Sequence, residues 1–319
     1  MGGPGAQGDG IAGRHRASSS GTGPAERTSL RRLGLNERSI HTRQVCALLV
    51  RQPAAGKTRH VAYEHLRFER DGGIVTITLD RPDRRNCLSS DVLGELLDAF
   101  RTAGSLDEVS GIVLASTGQV FSAGHDLAQM AAMSEDELRD LFELCTEAMT
   151  SMVEVPQVIV ARVQGLATAA GAQLAASADL VVASEDAAFA TPGGKGGLFC
   201  HTPLVAVARQ VGRKRAVELA LTGGTIDAVT ALEWGLVNRV VPAAQLEAAT
   251  LEFLGYATRG SRSAKALGKR TLYQQLDMTV DDAYELAVDV MARAAAHGDG
   301  REWPRAFVEK RAPVWSHRD

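Results

Sequence analysis

The chain is short of cysteine, of long apolar runs and of positive charge, and each shortage removes a class of protein. Its four cysteines, Cys46, Cys87, Cys145 and Cys200, lie far apart and form no C-x-x-C pair, which argues against a zinc site and against a disulfide framework. No metal is implied, and such cysteine usage fits a reducing compartment. No run approaches the ~18 apolar residues of a membrane span. The apolar stretch Val45–Val50 is also too short for a signal-peptide core. Lys and Arg number 35 against 38 Asp and Glu, so no overall positive field draws the chain to nucleic acid or to an anionic membrane. No repeat of fixed period is present, which removes solenoids and propellers.

What is present is the composition of an ordinary globule, 45% hydrophobic and 23% charged over 319 residues. Residues 1–60 read differently: Gly, Ser and Arg dominate, acids are sparse and no period is sustained, so this stretch is expected to be a disordered tail. The same character suits an organelle transit peptide. The expected location is therefore the cytoplasm, with the mitochondrion as the alternative if residues 1–60 are such a peptide. A core over residues 61–257 and a helical region over 258–319 are expected to follow.

Regular patterning begins after the tail. Val75, Ile77 and Leu79 alternate with Thr76 and Thr78, as on a half-buried strand. Ser89 reads as the N-cap of a helix whose apolar face is Val92, Leu93, Leu96, Leu97 and Phe100. A strand is predicted at 111–115. Ser134 and Glu137 form a capping-box pattern that opens a helix with Leu138, Leu141, Phe142, Cys145, Met149 and Met152 inward, ended by Pro156. Strands at 158–163 and 180–183 with a helix between continue the alternation, which means α/β. Beyond Gly223, Asp227 caps a short helix, a strand is expected at 236–241, and amphipathic helices follow over about 243–257, 262–276 and 279–297.

Three segments carry the chemistry. Phe121-Ser122-Ala123-Gly124-His125-Asp126-Leu127 follows a strand, and Gln164-Gly165-Leu166-Ala167-Thr168-Ala169-Ala170-Gly171 precedes a helix. A strand, tight turn and helix leave unpaired N–H groups at a helix start, where they can stabilise an anion. The third segment comprises Leu221–Gly224, Ala231–Val237 and Val240–Pro242, and Arg81-Pro82 with Asn86 adds a fourth mark.

In this order and spacing, the segments resemble the crotonase, or enoyl-CoA hydratase/isomerase, superfamily over roughly residues 66–310. The resemblance implies a spiral of ββα units and a helical C-terminal region that builds a homotrimer or hexamer, with Leu251, Phe253, Leu254, Ala283, Leu286 and Val290 suited to burial between subunits. It implies an acyl-CoA thioester as partner, with CoA entering as part of the substrate rather than as a separate cofactor. The thioester oxygen would be held by the backbone N–H groups of His125 and Ala170. CoA would lie along Arg84–Leu88 and Ala123–Asp126, with Arg84, Arg85 and Lys269 as candidate phosphate partners. Asp126 is structural in this reading.

The chain departs from the pattern where hydratases keep two glutamates to hold and activate water. Gln173 stands at the first position and Gly193 at the second. Glutamine can orient water but cannot take its proton, and glycine can do neither. Cys200 and His201 fall where relatives place groups that contact the acyl portion. His201 could act as a base or orient Cys200, or the two neighbours could simply point apart. The Phe121–Asp126 phrase is also similar to a decarboxylating branch of the superfamily, which needs no glutamate pair. Ala190–Gly193, Gly197–Cys200 and the terminal Pro313–His317 resemble a further branch that lacks the pair as well. Lyase, isomerase, decarboxylase and thioester hydrolase chemistry stay open at this point, beside CoA-thioester binding with little turnover.

Overall fold

The computed structural model describes residues 62–317; the tail expected at 1–60, and Cys46 within it, lie outside the described residues. The chain opens with an antiparallel pair, β1 (Leu66–Asp71) and β2 (Ile74–Leu79), followed by α1 (Ser90–Gly104). Three strand-strand-helix units follow. The first has β3 (Gly111–Ser116), β4 (Val120–Ser122), α2 (Leu127–Met130) and α3 (Glu135–Glu154). The second has β5 (Val158–Val163), β6 (Leu166–Thr168) and α4 (Ala170–Ser177). The third has β7 (Leu180–Ser184), β8 (Ala188–Ala190), α5 (Gly193–Gly196), α6 (His201–Val211) and α7 (Arg213–Thr222). After β9 (Thr225–Asp227), α8 (Ala228–Trp234) and β10 (Arg239–Val241) come four helices: α9 (Leu246–Ala257), α10 (Arg262–Gln275), α11 (Val280–Ala296) and α12 (Gly298–Val308).

Each of the three units gives its first strand to a sheet ordered β1-β2-β3-β5-β7-β10 and its second to a sheet ordered β4-β6-β8-β9. Every turn of chain therefore adds one rung to both sheets, and the path is a spiral. The pairings from β2 through β10 in the large sheet are parallel, as are those from β4 through β8 in the small one. Parallel strands buried on both faces read as unbroken apolar runs, and β3 is buried at all six positions. Ile112 and Leu114 face the main core with Leu93, Leu96 and Phe100 of α1. Val113 and Ala115 turn the other way, to Val160, Val182, Leu246 and Leu254 under α9.

The expected caps are present: Ser89 Oγ accepts from Val92 N, Ser134 and Glu137 form the capping box, and Asp227 accepts from Thr230 N. The strand expected at 236–241 is shorter, because Leu236 N and Val237 N both donate to Ala231 O and close the end of α8 instead. The helix α12 escapes a periodicity reading because Pro304 lies inside it. One expectation about subunit contacts is corrected. Leu254 is wholly buried against the sheet within its own chain, and Phe253 packs there with the Arg239 guanidinium 3.9 Å from its ring centre. On α11 the large exposed apolar residues are Val280, Tyr284, Val288 and Met291, whereas Ala283, Leu286 and Val290 are half-buried.

Candidate active site

The small sheet positions the site, since its strands end where the two glycine-bearing segments begin. After β4, the chain passes Gly124 at φ +82° and runs beside residues 85–88. Ala123 N donates to Arg85 O at 3.0 Å, Leu88 N to Gly124 O at 2.8 Å, and Ser122 Oγ to Asn86 O at 2.8 Å. The segments expected to line CoA are thus brought together. A trans peptide points its C=O and N–H in opposite directions. With Gly124 O held by Leu88, the His125 N–H is turned away from that strand, and among the described residues it has no acceptor. It does not sit at a helix start: α2 begins at Leu127, capped by the Asp126 carboxylate.

Asn86 holds this loop. Buried at φ +50°, it accepts from Arg81 N at 2.9 Å and donates to Thr117 O and Val120 O, both at 2.8 Å. Sequence reading caught Asn86 only as a family mark, since a side-chain clamp leaves no periodic signal.

The second N–H belongs to Ala170, the first residue of α4. Ala169 before it sits at φ 51°, ψ −118°, a conformation that only glycine adopts freely. It is pinned there, with Ala169 N donating to Ala190 O at 2.9 Å and Ala169 O accepting from Gln173 N at 3.0 Å. The Ala170 N–H is therefore left pointing off the helix end, free of any acceptor among the described residues. The two segments touch at Gly124, where an added Cβ would lie 2.9 Å from Thr168 O and 3.1 Å from Ala170 N. Two unpaired N–H groups thus flank one small space beside the positive end of α4, an arrangement suited to an oxyanion.

Three polar side-chain atoms on the segments around that space are sealed from solvent without a hydrogen-bond partner: His125 Nε2, Gln173 Oε1 and Thr191 Oγ1. Gln173 lies one turn into α4, and Thr191 directly follows Ala190, whose carbonyl pins Ala169. Each such orphan costs ~1–3 kcal/mol, which a hydrogen-bonding ligand would recover. The His125 ring stands edge-on to Phe142, with ring centres 5.4 Å apart. Its Nδ1 lies 3.3 Å from Leu88 O, and burial pushes its pKa below the ordinary histidine value. The neutral ring with Nδ1–H donating to Leu88 leaves Nε2 as an acceptor. The sequence points to the His125 backbone alone and gives no signal for its ring or for Thr191.

At Gly193, where the resemblance leads one to expect the second glutamate, the space for a side chain is filled. A Cβ on Gly193 would meet Leu198 O at 2.0 Å and Cys200 N at 2.9 Å. Cys200 is buried at the start of α6; its Sγ accepts from Gly193 N at 3.4 Å, and burial raises its pKa. A raised pKa keeps the thiol protonated and a poor nucleophile. His201 is exposed, with its ring 5.1 Å from that of Phe199, and no hydrogen bond joins it to Cys200 among the described residues.

The polar residues expected near CoA divide. Arg85 is exposed and its guanidinium has no partner among the described residues. Arg84 is half-exposed and reaches Asp126 Oδ2 at 3.0 Å. Asp126 is fully engaged, also accepting from Ala128 N, Gln129 N and Cys87 Sγ. Lys269 is corrected. Its Nζ is spent on Met152 O, Gln157 O and Asp179 Oδ2, each at 2.8 Å, and its side chain is 8% exposed, so no donor remains for a phosphate.

Known proteins resemble the chain over most of its described length. The enoyl-CoA hydratase/isomerase family profile matches residues 69–318. The enoyl-CoA hydratase domain-containing protein 3, mitochondrial, of Mus musculus is 44% identical over 246 residues, 77% of this chain and 82% of that protein. The crystal structure of an enoyl-CoA hydratase from Mycobacterium smegmatis superposes with a TM-score of 0.77 at 42% identity, covering 79% of this chain and 98% of that one. The human enoyl-CoA hydratase domain-containing protein 3 structure gives 0.74 at 40% identity, over 79% and 100%. The spiral fold, the paired N–H groups and these matches together show that the chain belongs to the enoyl-CoA hydratase/isomerase family of the crotonase superfamily.

Proposed function

We propose that the protein is an enzyme that takes an enoyl-CoA or related acyl-CoA thioester and stabilises its enolate between the His125 and Ala170 N–H groups. The observation that carries this reading is the approach of the two segments at Gly124, which leaves both donors unpaired beside one space. Charge grows on the thioester oxygen as the enolate forms, so donors fixed in advance act mainly on the transition state, each worth about 3–4 kcal/mol. Arg84 and Arg85 border the CoA path, and CoA arrives with the substrate. The acyl group faces Gln173, His125 and Thr191. Gln173 Oε1 orients water, and the neutral His125 Nε2 is the acceptor that can take a proton in place of the absent glutamates. Cys200 and His201 border the acyl portion rather than attack it. The active assembly in this reading is a trimer or a pair of trimers. The cytoplasm fits the cysteine usage, and the mitochondrion fits if residues 1–60 act as a transit peptide.

A second reading, thioester binding with little turnover, is favoured by one observation: the backbone at Leu198–Cys200 fills the space of the second acid. Ultraviolet absorbance of the conjugated thioester separates the two. Loss of the crotonyl-CoA signal with 3-hydroxyacyl-CoA formed, abolished in Gln173→Leu, supports hydration. Stoichiometric binding with no product from crotonyl-CoA, a longer enoyl-CoA or a malonyl-type thioester supports the binding protein.

A further inference from the structure

The terminal motif Pro313–His317 takes no part in the site above, yet it is firmly placed. Asp299 of α12 accepts from Ser316 N at 2.7 Å, Ser316 Oγ at 2.8 Å and His317 N at 3.0 Å. Glu302 accepts from Val314 N at 2.8 Å, and His317 Nδ1 accepts from Arg262 N at 3.2 Å. This strap closes one side of a cavity of about 460 Å³ between the start of α10, the end of α1 and the residues that lead into β3 and β5.

Its walls are chemically lopsided. Arg262, Lys265 and Arg270 line it beside His317, and among the described residues none of the three forms an ion pair. Among the described residues, Asp107 is the one acid on the wall. Neighbouring Glu108 pairs with Arg70 at 2.6 Å and also lies within electrostatic reach of Arg262. The positive end of the fourteen-residue α10 adds to the same field. A second, independent feature is Gln157, which lines the cavity and is 4% exposed. Its Nε2 donates to Leu106 O at 3.5 Å, and its Oε1 is sealed without a donor. The cavity therefore calls for an anionic group to meet the cations, and a ligand whose hydrogen-bond donor displaces the cover over Gln157 Oε1 would also satisfy that atom.

We propose that this cavity binds a small phosphate monoester bearing a hydroxyl or amine, of the nucleotide or sugar phosphate class. The volume lies in the range of ordinary ligand sites, and Arg suits phosphate through its paired donors. The cavity is distinct from the acyl-CoA site. It lies where β3 and β5 begin, whereas the oxyanion segments follow where the paired strands end, and six residues of strand span about 20 Å. Its occupation does not depend on the reaction proposed above.

Calorimetric titration of the full chain with AMP, ribose 5-phosphate and inorganic phosphate tests the site. Binding is expected for at least one of them, weakened more than tenfold in Arg262→Gln/Lys265→Gln, with crotonyl-CoA affinity unchanged. AMP binding above ribose 5-phosphate assigns a nucleotide, and equal binding of those two assigns the sugar phosphate class. If Arg262→Gln lowers the melting temperature, the exposed pair Lys265→Gln/Arg270→Gln gives the same readout. No binding of any probe at millimolar concentration overturns the proposal, as does phosphate alone binding without discrimination. Binding untouched by either double variant overturns it too.

Discussion

Gly124 combines two constraints at one residue, a positive φ and a neighbour at contact distance. A branched side chain there must push Thr168 O and Ala170 N away, which separates the two donors. Gly124→Val is expected to lower kcat/KM by about 10²–10³, the cost of one displaced oxyanion donor. Steady-state kinetics on the thioester turned over provides the check, and an unchanged kcat/KM would remove this space from the mechanism. His125 adds a pH dependence. Burial lowers its pKa in the folded chain, so below the ordinary value of ~6.5 the unfolded chain binds the extra proton more readily. The stability that the neutral ring contributes is full above that pH and is lost as pH falls through it. Denaturant midpoints measured from pH 8 to pH 5 are expected to fall less steeply in His125→Gln than in the parent.

At the scale of elements, α10 is fastened to the spiral by a charge rather than by apolar packing. Lys269 bridges the end of α3, the start of β5 and Asp179, which itself accepts from Ile159 N and from the Tyr273 hydroxyl. Burial pushes the Lys269 pKa down while Asp179 opposes that shift. Removing the cation leaves a largely buried carboxylate without its partner. Lys269→Met is expected to cost about 3 kcal/mol in denaturant unfolding with acyl-CoA affinity unchanged. A fall in CoA affinity at constant stability would return Lys269 to the phosphate role. Segment 193–200 shows the reverse case, in which the backbone at Leu198 fills the space that a side chain on Gly193 would need.

At the scale of the whole molecule, the C-terminal helices carry a strongly exposed apolar stripe. Tyr284, Val288 and Met291 on α11 are spaced as a single helical stripe and are each about two-thirds exposed or more, at 70%, 64% and 71%. Phe307 and Val308 on α12 are more exposed still. A contiguous exposed apolar stripe is a candidate subunit contact for the proposed assembly. Val288→Asp/Met291→Asp is expected to reduce the mass seen by light scattering from a trimer or hexamer to a monomer. An unchanged mass would place the subunit contact elsewhere.

The sequence by itself determined the α/β class, the caps at Ser89, Ser134 and Asp227, and the two segments that the fold brings together at Gly124. Each of these rests on local chemistry: a period, a capping side chain or a glycine in a turn, all contained within a few residues. It also singled out Gln173 and Gly193 as the positions where the resemblance leads one to expect acids. Tertiary structure alone decided that Ala169 is held at positive φ, because that conformation depends on Ala190, a strand away. It likewise decided that Leu254 lies in the core and that Lys269 has no donor left. The short strands β4, β6 and β8 owe their existence to pairing across the spiral, and three residues carry too little alternation to announce it. Whether a charge, a small residue or an apolar side chain serves a ligand, a partner or the core depends on groups far away in the chain, and folding is what brings them into contact.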